Sequence, residues 1–227
     1  MLKIDGQVVF TTLEEIVDPK HAVLAVIDAQ NDFCIEGGAC ARNGADLSAM
    51  PAALAVCGRL IDSARAAGVQ IIYVQNQKLP HSKSTSGAWM RFLVARNAMH
   101  KDQNVCIVDS WGAEIVEQLK PREDDIVVKK WRSSAFVGTN LDMILRTNGI
   151  KSVVCCGFIT EGCVESTARD AGFYDYYAVV VEDAIANYHP HVHEASLTVQ
   201  RTRYDVVPAA EILELWDRAM PQNAAAE

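Results

Sequence analysis

Residues 151–183 read "KSVVCCGFITEGCVESTARDAGFYDYYAVVVED", and this run decides the fold. It begins with "KSVVCCGF" and ends with "YYAVVVED", both apolar and of strand length, while "CVESTARDAGF" between them has the mixed periodicity of a helix. Strand, helix and strand in so short a space imply a crossover between parallel strands, because a tight hairpin cannot connect parallel neighbours.

The same alternation extends to both sides. Upstream, "AVLAVID" (22–28) is strand-like, and "MPAALAVCGRLIDSARAAG" (50–68) sets Leu54, Cys57, Leu60 and Ile61 at helical spacing before a glycine stop. "VQIIYVQN" (69–76) and "DDIVVKK" (124–130) are further strands; "GAEIVEQLKP" (112–121), ended by Pro121, and "NLDMILRTNG" (140–149) read as helices. Downstream, "VHEASLTVQRTRY" (192–204) reads as the last long helix. "QKLPHSKSTSGAWMRF" (77–92) is polar and rich in Pro and Ser, as suits a loop or lid. The expected fold is α/β, a three-layer α-β-α arrangement with a mostly parallel central sheet and helices on both faces. No linker or internal repeat divides the chain, so residues 1–227 are expected to form a single domain with a loose tail, "PQNAAAE".

Composition narrows the function. Half of the 227 residues are apolar, enough for one substantial core, and the formal charge of −8 is spread along the chain without a basic block. Nucleic acid and membrane are therefore not expected partners. The amino terminus, "MLKIDGQVVF", lacks the basic and apolar segments of a leader, and no apolar run reaches membrane-spanning length; the expected location is the cytoplasm. The seven cysteines are odd in number and form no C-x-x-C pair, so free thiols are expected.

In a parallel sheet, ligands gather at the carboxyl ends of the strands. Asp28 ends the first strand, Lys129 and Lys130 end "DDIVVKK", and Cys163 follows "KSVVCCGF" at the start of a helix. Cys155 and Cys156 point to opposite faces of their strand and read as buried small hydrophobes. Cys163 differs: unpaired N–H groups and the positive end of the helix dipole would favour its thiolate. A carboxylate could move the thiol proton while an ammonium steadied the charges. Alternation on the strand sends one of the two lysines into the crevice without saying which. His189, His191 and His193 offer a competing Cys–His design; "HVHE" lacks the H-E-x-x-H spacing, and no metal or other cofactor is expected.

"LAVIDAQNDF", "KWRSSAFVGTNLDMILRTNGI" and "GFITEGCVESTARDAGF" followed by "VVVEDA" closely resemble the isochorismatase-like cysteine hydrolases, over about residues 21 to 210. The resemblance implies a catalytic set of Asp28, Lys130 and Cys163, resolving the lysine pair, and a non-proline cis peptide at Ile159–Thr160 shaping an oxyanion hole with the Cys163 N–H. It implies amide hydrolysis, because family members that cleave a vinyl ether lack the cysteine. Nicotinamidases of the family carry an Asp-x-His metal motif, whereas "VQNQKLPHSKS" has amides where its Asp and first His would stand, leaving His81 alone. The metal-free amidases acting on small carbamoyl or ureido compounds, such as biuret, triuret, ureidoacrylate or N-carbamoylsarcosine, are the expected relatives, with ammonia released through a thioester. An ether hydrolase, a nicotinamidase-like amidase and a binding protein with an oxidant-sensing cysteine are the alternatives. Gln30, Phe33, Asn76, Gln77, Trp131, Ile159, Thr160 and Gln200 are candidates to bind the substrate, a small-molecule amide, and a homo-oligomer, dimer or tetramer, is expected by the same resemblance.

Overall fold

A computed structural model of the chain describes residues 1–95 and 103–220. A short hairpin, β1 (Leu2–Ile4) and β2 (Gln7–Val9), precedes the single turn α1 (Leu13–Ile16). The main sheet then uses β3 (Ala22–Ile27), β4 (Gln70–Asn76), β5 (Ile126–Lys130), β6 (Ser152–Phe158), β7 (Tyr177–Ala186) and β8 (Asp205–Val207). Short turns α2 (Asn31–Cys34) and α3 (Ala39–Arg42) follow β3. The remaining helices are α4 (Met50–Ala67), α5 (Gly87–Ala95), α6 (Leu141–Thr147), α7 (Glu165–Phe173), α8 (Pro190–Gln200) and α9 (Ala209–Ala219).

The six strands are all parallel, in the order β5-β4-β3-β6-β7-β8. Alternate residues of each strand supply separate cores. Leu24, Val26, Val154 and Cys156 pack with Met50, Leu54 and Leu60 of α4 and Ile212 and Trp216 of α9. Val23, Ala25, Val153 and Cys155 pack on the other face with Leu141 and Leu145 of α6, Ala168 of α7 and Leu197 of α8. Burial on both faces explains why these strands read as continuous apolar runs. The expected three-layer architecture is what the chain adopts.

Several elements differ from the sequence reading. Residues 112–121 form no α-helix, only tight 3₁₀ turns at Trp111–Ala113 and Glu117–Leu119. Their backbone is claimed by the end of β3: Asn31 N donates to Glu114 O at 3.0 Å and Val116 N to Ala29 O at 2.9 Å. Gly112 also lies so close to Asp32 that a Cβ would stand 2.1 Å from its Oδ2. Conversely, the expected loop 77–92 contains the start of α5, where Ser86 accepts from the N–H of Trp89 at 3.2 Å. Helix α8 ends at Gln200, with 201–204 forming a turn before β8. The hairpin, β8 and α9 had no counterpart in the sequence reading, and the tail 221–227 lies outside the described residues. Among the described residues no helix is long and apolar enough to cross a membrane.

Strand order locates the crevice. From β3 the chain proceeds through α4 to β4, whereas from β6 it proceeds through α7 to β7, on the opposite side of β3. The adjacent ends of β3 and β6 therefore form the switch point at which open α/β sheets bind ligands.

Candidate active site

Asp28 and Cys163 flank that switch point, and Lys130 reaches it from β5. Asp28 follows β3 with φ of 50° and is anchored by its N–H to Val74 O at 2.9 Å. Beside it, Gly157 at φ of 118° brings β6 so near that a Cβ would meet Ile27 O at 1.9 Å. Only glycine permits that approach. Cys163 lies in a π-helical turn, Thr160–Val164, that leads into α7.

The three side chains meet at the ammonium. Lys130 Nζ is 2.7 Å from Asp28 Oδ2, 3.1 Å from Cys163 Sγ and 3.0 Å from Arg132 O. The contacts to Cys163 and Arg132 are hydrogen bonds, and that to Asp28 is an ion pair. Lys130 and Asp28 are both fully buried, whereas Lys129 is exposed, as strand alternation requires. Neither oxygen of Asp28 makes a hydrogen bond of regular geometry, so the carboxylate is held by the adjacent ammonium and thiol.

Burial raises the Asp28 pKa, although Lys130 and the Cys163 thiol oppose the rise. Burial also works against the Lys130 ammonium, but Asp28 and the Cys163 sulfur outweigh it and raise the lysine pKa. The Cys163 thiol is pushed up to about 12, first by burial and then by the Asp28 carboxylate. This corrects the expectation that the helix start would favour a thiolate. At neutral pH the sulfur is therefore held as the thiol, so the nucleophile needs a base at the moment of attack. Asp28 stands where that base must be.

The other candidates separate by position. Gln30 is fully buried and committed to backbone: its Nε2 donates to Asn76 O at 2.9 Å and Ala113 O at 2.7 Å, while its Oε1 accepts from Asn76 N at 2.8 Å. It ties β3 to β4 instead of offering a free amide. Asn76 pairs in register with Lys130, and Gln77 N donates to Lys130 O at 2.9 Å, placing both beside the lysine. The Gln77 amide meets Gln75 Oε1 at 3.4 Å. Trp131 is half-buried between Lys130 and Arg132; Phe33 is half-buried against the core, with its carbonyl accepting from Tyr188 at 3.0 Å. Ile159 and Thr160 lead into the nucleophile turn, and the cis peptide is Phe158–Ile159, one bond earlier than expected. The sequence locates that loop without fixing which of its bonds is cis.

Gln200 is not brought to the site. Helix α8 begins after the carboxyl end of β7 and runs back toward the start of β8, leaving Gln200 in its last turn, bonded to Ser196 Oγ at 2.9 Å. A surface cavity of about 430 Å³ lined by Gly172, Tyr176, Tyr177 and 201–205 lies at this amino end of the sheet and includes no triad residue.

The residues that hold the nucleophile turn escaped the sequence reading. Asn187 Nδ2 donates to the Glu161 carboxylate, Thr160 Oγ1 meets His193 Nδ1 at 2.8 Å, and Ser196 donates to Glu165. His193 thus faces Thr160, while His189 and His191 pair with ring centroids 5.9 Å apart. The histidine spacing drew attention to metal or dyad chemistry, whereas these contacts depend on α8 packing beside the turn. Asp32 similarly accepts from Ala39 N at 2.7 Å and Cys106 N at 2.6 Å. Among the described residues no cluster of three His, Cys, Asp or Glu side chains is arranged to hold a metal.

Known proteins resemble the chain in sequence and fold. The model of the Isochorismatase domain matches residues 22–211. Ureidoacrylate amidohydrolase RutB of Agrobacterium fabrum is 35% identical over 173 residues, 73% of this chain and 76% of its own length. A cysteine hydrolase from Pseudomonas syringae pv. phaseolicola superposes with a TM-score of 0.77 and 26% identity, covering 90% of this chain and 96% of that one. N-carbamoylsarcosine amidase from Thermoplasma acidophilum gives a TM-score of 0.61 and 28% identity over 83% of this chain and 96% of its own. With the domain match spanning nearly all of the sheet and its helices, the chain belongs to the isochorismatase family.

Proposed function

We propose that this isochorismatase-family amidohydrolase cleaves a C–N bond of a small carbamoyl or ureido compound through a covalent bond to Cys163. One observation carries the reading: a half-buried thiol lies beside a buried carboxylate, both against the Lys130 ammonium at 3.1 and 2.7 Å. The names of the relatives, a ureidoacrylate amidohydrolase and an N-carbamoylsarcosine amidase, supply the substrate class.

Asp28 takes the Cys163 proton as sulfur attacks the carbonyl carbon, and the N–H of Cys163 steadies the developing oxyanion. As the tetrahedral species collapses, the C–N bond breaks and Asp28 returns the proton to the departing nitrogen, leaving an acyl thioester. Water, deprotonated by Asp28, then attacks; a C–O bond forms, the C–S bond breaks and the proton returns to sulfur. Lys130 keeps Asp28 and the transient thiolate in place throughout. If the carbamoyl half stays on sulfur, its hydrolysis gives carbamic acid, which decomposes to ammonia and carbon dioxide. Either direction of cleavage of a terminal ureido group therefore yields ammonia.

Ammonia release from biuret, triuret, ureidoacrylate, N-carbamoyl amino acids and nicotinamide, with isochorismate as the non-amide control, tests the proposal. Turnover confined to the carbamoyl and ureido compounds is expected; silence on all amides would refute it. The cytoplasmic location and the homo-oligomer belong to the same proposal.

A further inference from the structure

We infer that helix α8 sets the π-helical register of the nucleophile turn, and that His193 and Ser196 are positioning residues acting on Cys163 through Thr160 and Glu165; the catalytic consequence rests on the Cys163 reading above. The turn closes on its fifth residue: Val164 N donates to Ile159 O at 3.3 Å, and Glu165 N donates to Thr160 O. From Glu165 onward the same segment is the α-helix α7. π-Helical turns are rare, so something must keep α7 from continuing backwards through Cys163.

Two side-chain anchors do so. Thr160 Oγ1 meets His193 Nδ1 at 2.8 Å, and the Glu165 carboxylate accepts from Ser196 Oγ. His193 and Ser196 are three residues apart on α8 and therefore share one face of it. Thr160 and Glu165 are five residues apart. At about 3.6 residues per turn they would lie about 140° apart around an α-helix and could not both meet that face. A turn that closes on its fifth residue stacks them on the same side.

The anchors are themselves fixed. Gln200, one turn further along α8, donates through Nε2 to Ser196 Oγ at 2.9 Å, which leaves the serine hydrogen for Glu165, and Arg169 holds the other Glu165 oxygen at 2.5 Å. Asn187, at the end of β7, binds Glu161 within the turn. Thr160, Ser196 and Gln200 are buried, where a lost hydrogen bond is poorly replaced by water. Cys163 lies between the two anchors, and retightening to an α turn would swing its sulfur relative to Asp28 and to Lys130 Nζ, now 3.1 Å away. His193 thus serves the nucleophile by holding Thr160 and not as its base.

The test measures kcat and KM by ammonia release in His193→Ala, Ser196→Ala and the double variant, and solves the crystal structure of the double variant. In the double variant kcat is expected to fall by about 10- to 100-fold, the cost of an ångström-scale misplacement, with KM within about twofold of wild type. His193→Asn, whose amide can take either hydrogen-bonding role, should restore most of the loss seen in His193→Ala. Residues 160–164 should close as an α-helix, with the sulfur out of hydrogen-bond reach of Lys130. The single variants carry the same prediction in smaller measure, so the test does not depend on the double variant folding. Wild-type kcat in all three alanine variants, or a π turn that persists in the double variant, would overturn the inference while leaving the Cys163 mechanism in place. Wild-type turnover by Cys163→Ala would instead overturn that mechanism and leave the structural assignment standing.

Discussion

At the residue scale, the site stores its nucleophile as a thiol. Burial first, and then the carboxylate proposed as its base, suppress its ionisation. Replacing Asp28 should therefore move two properties in opposite directions. In Asp28→Asn, amide hydrolysis is expected to fall by about 10² to 10⁴-fold, whereas iodoacetamide should label Cys163 faster at pH 8, because the charge that raised the thiol pKa has gone. Peptide mapping distinguishes Cys163 from the half-buried Cys40, and unchanged or slower labelling would contradict the account. Lys130→Met leaves a buried carboxylate without its cation and should cost about 3–5 kcal/mol at pH 7. Since the Asp28 pKa is raised in the fold, the loss should shrink as pH falls through that raised value and the acid becomes neutral, which denaturant melts at several pH values would show. That Asp28, Lys130 and Cys163 meet is legible in the sequence because each stands at a strand end or just beyond it. Their protonation is not, because burial and the Asp28–Cys163 approach arise from strands distant in sequence.

At the element scale, the ends of β3 and β4 are joined through one amide. Gln30→Leu would remove the side-chain partner of the Asn76 carbonyl and N–H and one of the two donors to the Ala113 carbonyl, which keeps Gln75 Nε2 at 2.6 Å, and should destabilise the fold by about 2–3 kcal/mol while lowering kcat through the neighbouring Asp28. Trp216, fully buried on α9 with its indole N–H on Val17 O at 2.9 Å, should cost about 3–5 kcal/mol when replaced by Ala, read as a lower melting temperature. The central strands were readable because burial on both faces gives unbroken apolar runs. "AAEILELWDRA" holds its apolar residues at helical spacing but follows a long helix with only a brief break, and the intervening β8, Asp205–Val207, is too short to announce itself. Residues 112–121 failed in the other direction: their periodicity suits a helix, but hydrogen bonds to Ala29–Asn31 draw the backbone into an extended path. Gln200 failed for a related reason, since identity alone does not reveal which end of a returning helix faces the crevice.

At the scale of the whole molecule, the sheet places charge chemistry in a water-poor position and leaves pH to control it. The proposed mechanism uses Asp28 as carboxylate and Lys130 as ammonium, so activity should rise with pH through a value above the ordinary aspartate range and fall only where Lys130 deprotonates, above the ordinary lysine value. The proposed homo-oligomer would give a light-scattering mass that is a multiple of 24.9 kDa. The central claim is that Cys163 itself bonds the substrate carbon, and ammonia release by Cys163→Ala on the best carbamoyl or ureido substrate tests it most directly. The account predicts loss of turnover by about 10⁴-fold or more with an unchanged melting curve. A wild-type rate in the alanine variant would contradict it.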